Sequence, residues 1–366
     1  RGSLDKLSVS GTMTAKSACG GIAGVVNSGY LQRSFASPIL KCYAEYGGSL
    51  VGVVTSDTEI NGIVSNSGGT GRITGSSNMG GLVGVISWGY IINSYSHASV
   101  TTTSNQAGGI AGLCGWSNPG YIIRCFATGS ITCSGSNAGG VVGWMCNGYA
   151  RESYWNIQSS GISNGGSNSG IFGKNTAEMM QRDTYGNWNF DYLWQINEGI
   201  YYPTHQDLSV YTYPQNLSIG DLTGLGTDEL PYQIHSLDEL LVIHQDLAAS
   251  YQLANDIDLS ASVIMNGGLG WQSLGTSDYP FSGKLDGNGF QIVGMQLVRP
   301  PQGYAGLFGV CSAASIHNLR LQKSNILADV NVGGLAGYTV LSNLTHIDYQ
   351  GSISARETIG GIVGYL

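Results

Sequence analysis

One four-residue phrase returns along this chain at nearly constant spacing, and it constrains the fold more than any other feature. Gly-apolar-apolar-Gly occurs as Gly21-Ile22-Ala23-Gly24, Gly81-Leu82-Val83-Gly84, Gly109-Ile110-Ala111-Gly112 and Gly140-Val141-Val142-Gly143, with looser copies ending at Gly52 and Gly173. The closing glycines at 24, 52, 84, 112, 143 and 173 are 28, 32, 28, 31 and 30 residues apart. After a gap the phrase resumes and closes at Gly309, Gly337 and Gly364, in steps of 28 and 27. A fixed period of this length is the signature of a repeat architecture.

Each period carries a second phrase. Gly29-Tyr30-Leu31-Gln32-Arg33-Ser34-Phe35-Ala36 is matched by 89–96, by 120–127 and by 148–155. A small residue (Ser34, Ser94, Cys125, Ser153) precedes an aromatic (Phe35, Tyr95, Phe126, Tyr154) every time. Short β-branched and aromatic runs bounded by Gly, Ser and Asn read as strands, and 98–102 and 129–133 supply a third strand per period. Such a unit cannot bury a core alone, but stacked copies can. The expected fold is all-β: right-handed parallel β-helix (β-solenoid) modules in tandem, with small helical and aromatic caps. Equivalent residues then lie about 4.8 Å apart in neighbouring coils, which predicts a core stack of Phe35, Tyr95, Phe126 and Tyr154. The glycines answer either to corners with positive φ or to close backbone contact. A β-propeller is the rival, but its blades take about 40 residues and four strands.

The run from Gly80 to Gly84 followed by 89–96 resembles the GLUG motif, roughly GGLVGxxxxGxIxNSYATGxVxG. The resemblance covers most of 1–173 and 303–366; the copy around 59–64 departs from it, lacking the Gly-aromatic and Ser-Tyr pairs. It implies tandem repeats of the kind found in large bacterial surface proteins, including adhesin-like proteins and regions of IgA-specific metallopeptidases. It implies no ligand.

Between the two repeat runs the period is lost. A solenoid of GLUG-type coils over 1–173 is followed by an aromatic closing cap over 174–205, with a short helix starting near Thr176 on Asn175 or Thr176 as N-cap. Trp188, Trp194, Tyr201 and Tyr202 lie in this cap and are candidates for stacking on a sugar, although a plug covering the last coil is the preferred reading. A linker spans 206–217. An opening cap over 218–302 contains a helix at 236–247, introduced by Ser236 and Glu239 as a capping box, and a second solenoid begins over 303–366. Both 251–259 and 281–290 resemble the opening segment of such β-helix regions.

The first solenoid thus has a finish without an opening, and the second an opening without a finish. Joining Leu366 to Arg1 would continue the second solenoid, with 26 residues from Gly364 to Gly24. The chain starts at Arg1 with no leader-like stretch after it. The expectation is one unit of a tandem array or a cut from a longer repetitive chain, testable by intact mass of native material.

Composition excludes several classes. Of 366 residues 57 are glycine, about twice the usual share, but without the triplet period of collagen. Only 10% are charged and 42% are hydrophobic, the reverse of a disordered chain. No apolar run approaches the roughly 18 residues of a membrane helix, so no membrane insertion is expected in this segment. Fifteen Lys and Arg, thinly spread at a net charge of −8, offer no face to a nucleic-acid backbone.

No catalytic, metal or cofactor site is expected. The first 150 residues hold only Asp5, Glu45, Asp57 and Glu59 as acids, not recurring at coil spacing. Asp256, Asp258 and Asp286 could converge, yet 286–289 is a turn sequence in itself. The six histidines form no HExxH or HxxxH pair, and no nucleophile elbow or phosphate loop appears. Seven cysteines (Cys19, Cys42, Cys114, Cys125, Cys133, Cys146, Cys311) are odd in number with no CxxC pair, and read as free, buried small hydrophobes. Sequons at Asn216 and Asn343 occur at chance frequency, and one Thr run at 101–103 is too little for an ice-binding face.

The expected role is a non-catalytic structural or adhesive segment of a bacterial cell-surface or extracellular repeat protein or filament. Its partners would be itself, head to tail, or extracellular and host glycans or proteins. The alternative is a carbohydrate-binding or spacer region of a polysaccharide-active or peptidase-linked surface enzyme.

Overall fold

The computed structural model describes residues 2–57, 61–166, 170–300 and 302–366; Glu59 and Ile60, which begin the divergent copy at 59–64, lie outside them. The chain forms two compact units, Arg1–Gly186 with Ile196–His205, and Asn187–Gln195 with Gln206–Leu366. Both are parallel β-solenoids.

In the first unit three sheets run along the coils. The first sheet takes Ser3–Asp5, Tyr30–Gln32, Gly62–Ser65, Gly89–Ile92, Gly120–Ile123 and Gly148–Arg151 in that order. The second sheet carries Ser8–Ala15, Phe35–Gly48 and their successors, and the third Ala23–Asn27, Val51–Thr55, Val83–Ile86, Ala111–Cys114 and Val142–Met145. Gly89 pairs with Gly120 and Gly120 with Gly148, so equivalent residues of the second phrase stack in register. The two apolar residues between the phrase glycines point inward: Leu82, Val83, Ile110, Ala111, Val141 and Val142 are all fully buried in one core.

The corners decide between the two readings of the glycines. Left-handed backbone appears at Arg33, Asn66, Asn93, Arg124 and Glu152 between the first and second sheets, and at Ala18, Tyr46, Asn78, Gln106 and Asn137 before the third. Side chains occupy those positions, against their intrinsic cost, because stacking repeats the same turn in every coil. The closing glycines serve close approach instead. A Cβ at Gly112 would lie 2.4 Å from the carbonyl carbon of Asn78, and one at Gly52 the same distance from that of Ala18. Gly84 lies in the same way against Tyr46, so Gly52, Gly84 and Gly112 each meet the left-handed corner of the coil before.

The small residue ahead of the aromatic ties coil to coil. Ser67 Oγ accepts the N–H of Ser34 at 3.1 Å and donates to the Ser65 carbonyl at 2.7 Å. Ser34, Ser94 and Ser153 repeat the arrangement, accepting from Leu7, Ser67 and Cys125 respectively. These bonds satisfy N–H groups that the turn removes from the sheet ladders.

The second unit repeats the plan. Phe308–Ser312, Ala336–Val340 and Val363–Tyr365 form the counterpart of the third sheet, and Ser315–Leu327 pairs in parallel with Asn343–Ser354. The expected helix at 236–247 is shorter, Leu237–Val242 followed by a 3-10 turn at Ile243–Gln245. Ser236 Oγ accepts from Glu239 N–H, but the Glu239 carboxylate reaches His235 rather than closing the box on Ser236. The short helix near 176 is Thr176–Met179, with Asn175 as N-cap in a reciprocal capping box.

The aromatic segment is shared between the units. Asn187–Gln195 belongs with the second, where Asn189 Nδ2 donates to Gln296 Oε1 at 3.0 Å and Asn325 Nδ2 donates to the Asn187 carbonyl at 2.7 Å. Among the described residues no helix is long and apolar enough to cross a membrane.

Cys19 and Cys42, expected to be free, form a disulfide between neighbouring coils. Their α-carbons come within 6.0 Å because the coil return places 19 beside 47, a proximity that spacing along the chain does not reveal. Cys114, Cys125 and Cys311 are free and buried, Cys133 is half-buried and Cys146 is exposed.

Candidate functional site

The aromatics of the second phrase do stack in register, Tyr95 on Phe126 and Phe126 paired to Tyr154. Their place corrects the expectation of a core stack. Strand alternation turns the neighbouring Ala36, Ala127 and Trp155 into the core, so the aromatic column stands on the outer face of the second sheet. Phe35 is 37% exposed and is separated from Tyr95 by Gly68, which pairs with both. Tyr95 and Phe126 rings lie 5.5 Å apart and nearly parallel.

A strap from the same unit covers this column. It comprises Thr176–Met179, Arg182–Tyr185 and 196–205. Tyr185 meets Tyr154 edge-to-face at 5.1 Å and Phe126 at 6.1 Å, and Tyr202 lies over Phe126 at 6.2 Å. The buried Asn156 amide donates to Thr176 Oγ1 at 2.9 Å and to the Tyr202 hydroxyl at 2.8 Å. Phe126 and Tyr185 are fully buried as a result.

Two histidines flank Tyr95, His97 at 5.3 Å and His205 at 5.4 Å between ring centroids. His97 Nδ1 is 2.5 Å from Thr128 Oγ1. His205 Nε2 lies 2.8 Å from the Asn93 carbonyl, which can only accept, so Nε2 carries the proton. Removal from water pushes both imidazoles down to about 4. The same cause pushes the Tyr154 phenol up to about 12 and Tyr185 well above its ordinary range. The site therefore holds neutral rings. It can clamp a strap, and it offers no acid–base pair at neutral pH.

Of the four proposed sugar-stacking residues, the structure withdraws two. Trp188 and Trp194 are buried against each other at 4.6 Å within the second unit. Tyr201 is exposed, and Tyr202 is half-buried in the strap. The residues that sequence reasoning missed are His97 and His205. Neither sits in a motif, and they reach the same ring, Tyr95, only because the strap folds back over 108 residues of chain.

The three aspartates weighed as a catalytic set are each held locally. Asp256 accepts from Gln291 N and Nε2 at 3.1 and 2.8 Å, and Asp258 from Ser260 N at 2.8 Å. Asp286 accepts from Asn288 N at 2.8 Å and Asn318 Nδ2 at 3.1 Å. Burial pushes the Asp286 carboxyl up, but these bonds prevail and hold it below its usual range. Among the described residues, no three His, Cys, Asp or Glu side chains gather as a metal would require.

Comparison with known proteins adds two relatives. Halomucin of Haloquadratum walsbyi is 34% identical over 151 residues, 39% of this chain and 2% of halomucin. A putative Gly-rich membrane protein of Evansella cellulosilytica is 37% identical over 130 residues, 33% of this chain and 15% of that protein. The matches thus span a small part of each relative. No family model matches the chain, and no solved structure matches it.

Proposed function

We propose that this chain is a non-catalytic structural segment of an extracellular or cell-surface repeat protein, in which β-solenoid units act as stiff spacers. The observation that carries the reading is the coil-to-coil register. Among the described residues the strands of successive coils pair in parallel and in register, with shifts at Gly75/Ser77 and Gln322/Ser324, and the corner serines bond one layer to the next. Such stacking yields length and stiffness from nearest-neighbour contacts alone. The Cys19–Cys42 disulfide supports an oxidising compartment. A relative described as a membrane protein and another named halomucin accord with placement at the cell envelope. The GLUG resemblance points the same way, toward adhesin-like surface proteins that assemble in tandem.

Two measurements test this. Antibody raised against the purified chain should label intact cells that make it, and the chain should cleave none of a panel of polysaccharides and peptides. Label confined to the cytoplasm would sink the surface assignment, and turnover would sink the non-catalytic one.

A further inference from the structure

We propose that the outward face of the third sheet in the first unit is a platform for a neutral polysaccharide, gripped by Trp116 and Trp144. The proposal goes beyond the structural role above and concerns a different face from the strap.

Register brings Val25, Val53, Val85, Leu113 and Trp144 into one column across five coils. They face outward, since the residue that follows each of them (Val26, Val54, Ile86, Cys114 and Met145) lies in the core. Tyr46, at a left-handed corner whose backbone lies against Gly84 of this sheet, and Trp116, just beyond the strand Ala111–Cys114, meet edge-to-face at 6.0 Å. In mid-column Val85 and Leu113 are only 3% and 4% exposed. Two indoles meet water, Trp116 at 52% exposure and Trp144 at 43%, while Val25 at the opposite end of the column is 51% exposed. Trp144 lies in Val142–Met145 and Trp116 just beyond its neighbour Ala111–Cys114, and large exposed aromatics on adjoining strands mark binding surfaces.

The chemistry of the occupant follows from charge and ring geometry. None of the five strands contains Asp, Glu, Lys or Arg. A phosphate, an acidic glycan or a nucleic acid would find no counter-charge there, whereas a neutral pyranose would. One side of that ring presents C–H groups that pack on an aromatic face, and its hydroxyls stay hydrated at the rim. Ring orientation separates this surface from the tyrosine ladder on the first sheet. Tyr90, Tyr121 and Tyr149 stack within 14° of parallel at 4.7 and 5.7 Å, so their faces cover one another. Tyr46 and Trp116 cross at 64° and do not.

The second unit supplies an independent observation. Its equivalent sheet, Phe308–Ser312, Ala336–Val340 and Val363–Tyr365, is likewise uncharged. Tyr338 and Tyr365 occupy the outward column, and Tyr304 approaches from a left-handed corner as Tyr46 does. Outward residues carry no core-packing requirement, so the recurrence of aromatics on this one face of two units with different sequences points to use.

The test uses the full chain, incubated with insoluble cellulose, chitin and mannan, with a neutral glycan array, and with acidic alginate as charge control. Expected are retention on at least one neutral polysaccharide that survives high salt, and a blue shift of tryptophan emission with its soluble oligosaccharide. The double variant Trp116→Ala, Trp144→Ala should bind at least about ten-fold more weakly at unchanged melting temperature, and Tyr at both positions should restore most of the binding. Should the alanine variant fail to fold, oxidation of Trp116 and Trp144 by N-bromosuccinimide, located by mass spectrometry, must be blocked by the polysaccharide in the native chain. No retention on any neutral glycan, retention on alginate alone, or binding indifferent to both tryptophans would overturn the proposal. So would a dimer in solution that the double variant dissociates, which would make this face a protein interface. Because purified protein is used, a negative result leaves the surface assignment to its own experiment.

Discussion

His205 donates from Nε2 to the backbone carbonyl of Asn93 at 2.8 Å, a bond that joins residues 112 apart in the chain. It anchors the end of the strap to a corner of the solenoid, beside the Tyr95 ring that His97 also approaches. Both imidazoles are stable there only when neutral, which has a consequence for pH.

Folding holds the two histidines at about 4, against 6.5 when exposed. The unfolded chain therefore binds more protons between these values, and stability must fall as pH drops. The contribution is fully present above about 6.5, declines through the interval and is lost below about 4. On the order of a few kcal/mol is at stake. Circular-dichroism melting from pH 7.5 to 3.5 should show the decline, and His205→Phe should flatten it. A melting temperature constant across that range would refute the account.

Ser67 is buried and serves two coils at once. Ser67→Ala removes the acceptor for the Ser34 N–H and leaves it without that bond inside the protein, a loss of about 1–3 kcal/mol. Urea denaturation measures it. Ser67→Thr keeps the hydroxyl and should recover part of the loss.

At the same corners Arg124 Nε donates to Glu152 Oε2 at 2.7 Å, with the Arg124 side chain 1% exposed. Glu152→Ala removes the carboxylate from an enclosed guanidinium and should cost about 3 kcal/mol. The double change Arg124→Asn, Glu152→Asn restores the residue that other coils carry at this turn, Asn66 and Asn93, and should be more stable than Glu152→Ala in the same denaturation.

Gly112 and Gly220 separate the two kinds of glycine. Gly112→Ala drives a Cβ to 2.4 Å from Asn78 backbone, which cannot swing aside, and should lower soluble yield and melting temperature sharply. At Gly220 the nearest atom is 3.7 Å away, and alanine should be tolerated. Equal behaviour of the two variants would contradict the stacked-corner geometry.

Alkylation under native conditions should mark Cys146 first, spare Cys114, Cys125 and Cys311 until the chain is denatured, and leave Cys19 and Cys42 unmodified unless reductant is added. Mass mapping of the labelled peptides reads this directly. Burial raises the Cys125 and Cys311 thiols to about 12, which adds to their inertness.

The sequence by itself determined the period, the parallel stacking and the short helix that starts near Thr176. These follow from spacing and local turn chemistry, which a reader of the chain can see without knowing which side of a strand is buried. The tertiary structure alone decided three things. Facing was the first: Phe35, Tyr95, Phe126 and Tyr154 were legible as a column, but whether they pointed in or out depended on the bend at Arg33, Asn66 and Asn93. Enclosure was the second, because Trp188 and Trp194 are aromatics in a charge-poor loop until the second unit closes on them. Long-range pairing was the third. Cys19 finds Cys42 through the coil return, and His205 finds Asn93 through the strap. A repeat announces itself because each copy repeats its neighbour. Contacts between unlike segments leave no period to read.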